Sequence, residues 1–293
     1  MTSLFDVPVR RFEVNGTHIA ARVAGEGPPL LLLHGHPQTS AMWHRVWPAL
    51  TARFTCVAAD LRGYGDSGKP DATPDHAAHS KRAMAADMAA VMTALGHPRF
   101  RVLAHDRGAR VAHRLAMDHA ERVERMMLLD IAPTLDMYEG TTRAFAQAYY
   151  HWFWLIQPAP MPETMIGRDP VFYVRSIMGG RPGGLGIFDP RALAEYERCA
   201  ALPGLPVGIC EDYRASATID LEHDREDRAA GRRLPCPLLV LWGARGAVGR
   251  NFDVLALWRN VAPDVQGHAV DGAHYLAEEL PEQIAETALS FFG

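Results

Sequence analysis

The nine residues Val102-Leu103-Ala104-His105-Asp106-Arg107-Gly108-Ala109-Arg110 constrain this chain more than any other stretch of it. A short apolar run leads to a reactive side chain with a small residue two positions away on each side, Ala104 and Gly108, and a helix-forming run follows. This is the pattern of a strand that turns sharply into a helix, a strained elbow whose neighbours approach so closely that the flanking positions must be small. Most enzymes built on such an elbow carry serine at its tip, and here the tip is Asp106. A serine that displaced a leaving group from a saturated carbon would become an ether, which water does not readily cleave. A carboxylate becomes an ester, whose carbonyl water can attack. The motif therefore predicts a strand-turn-helix and points to displacement at an sp3 carbon.

At 293 residues the chain is long enough for one large α/β domain or for a core with an inserted subdomain. Its 30 basic and 34 acidic residues give a net charge of -4 with no long block of either sign, which argues against nucleic acid or an anionic membrane as partner. Cys56, Cys199, Cys210 and Cys236 are scattered without a CxxC pair and read as buried small residues, as expected in a reducing cytoplasm. The first residues contain Asp6 and no long apolar leader core, and aliphatic runs such as Leu30 to Leu33 are far too short to span a membrane. The expectation is a cytoplasmic protein.

Short β-rich runs alternate with helical stretches through the first part of the chain. Arg11 to Val14 and His18 to Val23 form a hairpin around Asn15-Gly16, and Leu30 to Leu33 and Phe54 to Ala58 are further strands. Ser40 is expected to cap a helix running to about Ala52, and a second helix, His79 to Leu95, stops at Gly96 with Pro98 beyond. Arg101 to Ala104 is a central strand, Arg107 to His119 a helix, and Val123 to Leu129 a buried strand. Strands separated by helices imply a mostly parallel sheet. From Pro133 to about Leu234 the alternation gives way to Tyr, Trp, Met, Pro and Gly, with helical pieces Thr141 to Phe153, Arg191 to Ala200 and Gly208 to Thr218. The rhythm then resumes with strands at Pro237 to Trp242 and Val265 to Val270 and helices near Phe252 to Val261 and Pro281 to Phe292. The expected organisation is a core of 1–132 and 235–293 with a helical cap of 133–234.

The turns His34-Gly35-His36-Pro37 and Asp60-Leu61-Arg62-Gly63-Tyr64-Gly65-Asp66-Ser67, taken with the elbow, resemble the α/β-hydrolase fold over essentially the whole chain. All these loops lie at the carboxyl ends of strands, where open α/β sheets bind ligands. A nucleophile alone would leave a dead-end ester, and the order of that fold places a water-activating base after the last strand, where His274 stands. His268, on the strand itself, reads as structural. The acid that orients the base usually follows the seventh strand, but Leu241 to Ala247 holds no carboxylate. Asp130, ending the sixth strand, takes the role, as in related enzymes with a displaced acid; the alternative for it is an N-cap or a loop salt bridge.

Arg107 and Arg110 follow the nucleophile three residues apart on the first turn of its helix, so both can face the pocket mouth. They would keep Asp106 ionised. A forked grip on a substrate carboxylate explains the pair better than packing does, the alternative being ion pairs with cap acids. That makes the substrate a small acid with a leaving group on its α-carbon. The elbow HDRGAR, the pair His151-Trp152 and the stretch Asp212 to Thr218 together resemble the fluoroacetate and haloacetate dehalogenases.

The resemblance implies Asp106 as nucleophile, Arg107 and Arg110 as carboxylate clamp, Asp130 and His274 as the water-activating pair, and His151, Trp152 and Tyr213 as the halide pocket. It also implies a homodimer formed partly through the cap, with no metal and no cofactor. The three halide-pocket rings each carry an N–H or O–H, and one preplaced donor is worth about 3–4 kcal/mol in a transition state. The alternative is a plain aromatic cap core with Tyr149, Tyr150, Phe153 and Trp154. Backbone N–H groups of Arg107 and His36 would hold the oxyanion of the second half-reaction. His36 departs from the phenylalanine more usual between Gly35 and Pro37, which bears on pocket width and polarity. An epoxide hydrolase, with cap tyrosines among Tyr149, Tyr150, Tyr173 and Tyr213 as proton donors, stays open, as does a non-catalytic small-acid-binding protein. A neutral epoxide or haloalkane would leave two buried cations nothing to pair with.

Overall fold

A computed structural model describes residues 2–293. Eight strands, β1 (Val9–Val14), β2 (Thr17–Ala24), β3 (Pro29–Leu33), β4 (Thr55–Ala59), β5 (Phe100–His105), β6 (Val123–Leu129), β7 (Leu238–Gly243) and β8 (Val265–Val270), form one sheet. Their order is β1-β2-β4-β3-β5-β6-β7-β8. β2 runs antiparallel to both β1 and β4, and the pairings from β4 to β8 are parallel. The β1–β2 hairpin closes on Asn15 and Gly16, both at positive φ (47° and 74°), which is the conformation that Asn-Gly tolerates and a tight hairpin needs. Leu30 to Leu33, Val102 to Ala104 and Met126 to Leu129 are wholly buried, as strands covered on both faces must be.

Helices α1 (Trp47–Thr51), α2 (Lys81–Ala94) and α3 (Asp106–Asp118) connect the first strands. The α2 boundary is set by Ser80, whose hydroxyl accepts the Ala83 N–H at 3.1 Å. Between β6 and β7 the chain is helical only: α4 (Thr134–Glu139), α5 (Arg143–Ala148), α6 (Tyr150–Leu155), α7 (Met161–Arg168), α8 (Pro170–Gly179), α9 (Pro190–Ala200), α10 (Leu205–Ala217) and α11 (Ile219–Ala229). The core then closes with α12 (Ala247–Asn251), α13 (Val254–Arg259), α14 (Leu276–Glu279) and α15 (Pro281–Phe292).

Three local differences from the sequence reading have physical causes. Ser40 does not cap a long helix: Thr39 caps a short 3-10 turn, Ser40–Trp43, and the Ser40 N–H is taken by the Asp60 carboxylate at 2.8 Å. The single helix expected over Thr141 to Phe153 is two, broken at Tyr149, whose buried ring stacks on Phe145 at 4.9 Å. Helices α7 and α8 escaped notice because prolines surround them, yet Pro162 and Pro170 sit in the first turn, where a missing N–H is harmless.

Two glycines let β3 and the elbow meet. A Cβ on Gly108 would stand 2.4 Å from the His34 carbonyl oxygen, and one on Gly35 would stand 2.4 Å from the Asp106 Cβ. Gly108→Ala should therefore destabilise the protein by about 1–3 kcal/mol, since backbone rather than a side chain must move; an unchanged denaturant midpoint would show that the elbow tolerates the methyl.

Candidate active site

The strain of the elbow is visible at its tip. Asp106 has φ 45°, a left-handed conformation uncommon for a residue with a Cβ. It is held there by the turn of β5 into α3, by the Gly108 N–H to His34 carbonyl bond (2.8 Å) and by the His36 N–H, which donates to Asp106 Oδ1 at 2.9 Å. Among the described residues Oδ2 receives no hydrogen bond, which leaves it the freer oxygen to attack. Burial alone would raise the Asp106 carboxyl, but His274, His105, Arg107 and Arg110 together hold it well below the usual carboxylate range. The group is an anion throughout the physiological range.

His274 reaches the elbow on the loop after β8. Its Nδ1 lies 2.6 Å from Asp130 Oδ2, and Asp130 Oδ1 accepts the Gly243 N–H at 3.0 Å. Asp130 itself turns at φ 52° at the end of β6. With Nδ1–H donated to the carboxylate, Nε2 keeps its lone pair and can accept a proton. The loop is fixed by Glu279, whose carboxylate accepts the N–H groups of Ala273 (2.8 Å), His274 (3.0 Å) and Tyr275 (2.8 Å). The His105 Nε2–H donates to the His274 carbonyl at 2.8 Å, and burial lowers His105 to about 3, so the donor is a neutral ring. His268 is exposed on β8, away from this cluster.

The two arginines after the nucleophile differ. Arg107 is fully buried and bidentate on Asp212 of α10, with Nε to Oδ2 and Nη2 to Oδ1 both at 2.8 Å, while its guanidinium lies 4.0 Å from the Tyr213 ring centroid. Asp212 also accepts from Tyr64 (2.6 Å) and pairs with Lys81, and Ser216 bonds both cations. Burial would raise Asp212, but Arg107 and Lys81 hold it far below its ordinary value. Arg110 forms no ion pair among the described residues, although the Asp106 charge acts on it. It donates to the Ala132 carbonyl and Thr134 hydroxyl, approaches the Met137 sulfur, and lies 4.6 Å over the Trp152 ring. Each arginine keeps one buried nitrogen without a partner, Nη1 of Arg107 and Nε of Arg110. A full fork from Arg107 onto a ligand is thus unavailable while Asp212 holds it, though a single donor from each arginine remains free.

His151 and Tyr213 stand together within the field of the Asp106 charge, while Trp152 packs against the Arg110 guanidinium at 4.6 Å. The His151 and Tyr213 rings are 5.9 Å apart, and the Trp152 Nε1 and Tyr213 hydroxyl are buried without partners. Buried polar groups are nearly always satisfied, so unmet donors beside a buried carboxylate suit an acceptor that arrives from outside. Sequence reasoning missed Asp212, Lys81 and Glu279 as supports, and Arg181, which extends from the end of α8 over the Tyr149 ring (4.6 Å) and lines a cavity of about 80 Å³ with His151. Asp212 could have been suspected from its place beside Tyr213 in the quoted motif; Arg181 carried no local signal. The one cluster with metal-like spacing among the described residues, Asp66, Glu195 and Cys199, lies outside the site, and Arg198 already pairs with both of its carboxylates.

The family model described as alpha/beta hydrolase fold matches residues 28–279. The chain belongs to the alpha/beta hydrolase family. Among curated members of known activity, a fluoroacetate dehalogenase from a Burkholderia species is 43% identical over 97% of this chain and 93% of that protein. A soluble epoxide hydrolase from Corynebacterium sp. (strain C12) is 34% identical over 96% of this chain and 95% of that one. An alpha/beta-hydrolase candidate of solved structure from Nostoc sp PCC 7120 superposes with a TM-score of 0.95 at 50% identity, covering 99% of both chains. As in other alpha/beta hydrolases, the loops at the carboxyl ends of the strands gather the reactive groups, and among the described residues no helix is long and apolar enough to cross a membrane.

Removing the carboxylate that Arg107 and Lys81 share would leave two buried cations unmatched. Asp212→Asn should cost about 3–5 kcal/mol of stability; urea melts of this alpha/beta hydrolase and its variant measure it, and a loss below about 1 kcal/mol would show the pair to be dispensable.

Proposed function

We propose that this alpha/beta hydrolase removes halide from haloacetates, fluoroacetate and chloroacetate, giving glycolate through an aspartyl ester. The observation that carries the reading is Arg110, a buried guanidinium that forms no ion pair among the described residues and feels only the charge of Asp106 to offset its own. A substrate carboxylate supplies that partner, met by Nε of Arg110 and Nη1 of Arg107. The relationship to the Burkholderia fluoroacetate dehalogenase supports the same reading. Residues 133–234 act as the cap and 1–132 with 235–293 as the core.

In the first step Asp106 Oδ2 attacks the α-carbon from behind while the carbon–halogen bond breaks and its electron pair leaves with the halide, into the donors of His151, Trp152 and Tyr213. In the second, His274 Nε2 takes a proton from water as the water oxygen adds to Cγ of Asp106. The oxyanion is held by the N–H groups of His36 and Arg107, each worth about 3–4 kcal/mol to that state. Collapse expels the glycolate oxygen, which takes the proton back from His274, and Asp130 steadies the transient imidazolium. One water oxygen stays in the Asp106 carboxyl group, which sheds the water's remaining proton to solvent and is again an anion. A single turnover in heavy-oxygen water should therefore label Asp106 and not glycolate, and label appearing directly in glycolate would reject the ester. His274→Asn should accumulate the ester, visible as a mass increase on the intact protein; undiminished steady turnover would remove His274 from the role.

Epoxide hydrolysis is the second reading, favoured by the Corynebacterium relative and by the partnerless hydroxyl of Tyr213. It leaves Arg110 without an anion. A panel of haloacetates, styrene oxide and bromoethane separates the two, and an absence of halide release from every acid would favour a binding protein.

The cap also presents an apolar groove of about 930 Å³ flanked by Phe172, Met165 and Tyr150, which are 68%, 57% and 55% exposed. Exposed apolar area of this kind marks a contact surface, and it supports a homodimer through the cap. Phe172→Glu should convert a dimer to a monomer in light scattering; a wild-type monomer at micromolar concentration would exclude the assembly. The four free cysteines are consistent with a cytoplasmic location.

A further inference from the structure

His36 brings more to the site than its backbone N–H. Its ring is buried with two of the expected halide donors, parallel to His151 (centroids 6.1 Å, planes 17° apart) and edge-on to Tyr213 (5.3 Å, 83°). The rings of His36, His151 and Tyr213 thus make a triangle with sides of 6.1, 5.3 and 5.9 Å directly over the elbow. The two nitrogens of His36 are in different situations. Nε2 lies 3.0 Å from the Tyr173 hydroxyl of α8, and Nδ1 is buried with no partner.

The proton count of that pair selects one tautomer. Burial lowers His36 to about 3, so the ring is neutral and holds a single ring proton. Among the described residues the Tyr173 hydroxyl has one hydrogen-bond partner, His36 Nε2. Were Nε2 protonated, both the Tyr173 proton and the Nδ1 lone pair would be stranded in the interior. With Tyr173 donating to a bare Nε2, both of those are resolved and one group is left unmet, an Nδ1–H. Buried donors without acceptors are disfavoured, and this one belongs to a ring edge-on to Tyr213, whose hydroxyl is also unmet among the described residues.

We propose that the His36 Nδ1–H is a fourth hydrogen-bond donor to the departing halide, set in that tautomer by Tyr173, and that it tunes the site toward fluoride. The proposal rests on the haloacetate reading above. Fluoride is the smallest and most basic halide, so its departure depends most on donors that meet the charge as it forms. Bromide, large and weakly basic, leaves with little help. A neutral donor adds this selectivity without adding a charge to a pocket that already holds buried arginines, and because the ring stays neutral well above its lowered pKa, the effect should not vary between about pH 5 and 9.

His36→Phe keeps a ring of similar size and the backbone N–H while removing the donor. It should lower kcat for fluoroacetate roughly 10- to 100-fold, less than the loss of a lone oxyanion donor because three others remain, and should change bromoacetate turnover by less than about threefold. Parallel losses on both substrates, or no loss on fluoroacetate, would overturn the proposal while leaving the dehalogenase reading intact. Absence of halide release by the wild type from either acid would overturn that reading instead. Nitrogen NMR of histidine-labelled protein gives a readout independent of turnover: His36 should show a protonated Nδ1 and a bare Nε2, and Tyr173→Phe should weaken that preference and lower the fluoride-to-bromide ratio part of the way. A protonated Nε2 in the wild type, or a Tyr173→Phe protein identical to it in spectrum and ratio, would also overturn the assignment.

Discussion

The bidentate pair between Arg107 and Asp212 is the contact on which the rest of the site depends. It joins the first turn of the elbow helix to α10 of the cap, with Lys81, Tyr64 and Ser216 completing the shell. A buried ion pair is weak evidence of stability in itself, because desolvation of both charges opposes their attraction. Its use here is register. A planar guanidinium and a planar carboxylate meet in one geometry, so the cap helix that carries Tyr213 can settle over the nucleophile in only one way.

That pairing also decides which charge is free. Arg107, Lys81, Asp212 and Asp220 largely balance one another, whereas Arg110 faces Asp106 with only neutral acceptors and an aromatic face around it. Two adjacent arginines therefore do different work although they share a helix turn. One fixes the cap and lends a single nitrogen to the pocket. The other is the cation left for an incoming anion in the proposed reaction.

Much of this was legible in the chain. The elbow, the parallel core, and the positions of His274 after β8 and Asp130 at the end of β6 follow from local rules: small residues beside a strained turn, apolar runs between helices, and a carboxylate at a strand end. His274 and Asp130 lie 144 positions apart, yet both were found because each stands at a recognisable strand terminus. The supports were not legible. Nothing local marks Glu279 as the acceptor of three N–H groups, and Lys81 reads as an ordinary helix start until Asp212 and Asp220 arrive from the cap. The breaks in the helical insertion were lost for a related reason: proline in a first turn and an inward tyrosine look the same in sequence as the interruptions they resemble.

The polar ties between cap and core are unequal. α10 is held through buried charge at Asp212, and α9 through the Tyr196 hydroxyl on Glu278 at 2.6 Å. Among the described residues, α8 side chains meet the core's polar groups through one neutral bond, from Tyr173 to His36. Parting α8 from the core would break one neutral hydrogen bond, whereas parting α10 would separate buried charges, so the side of least resistance in this assembly is the one that faces His36.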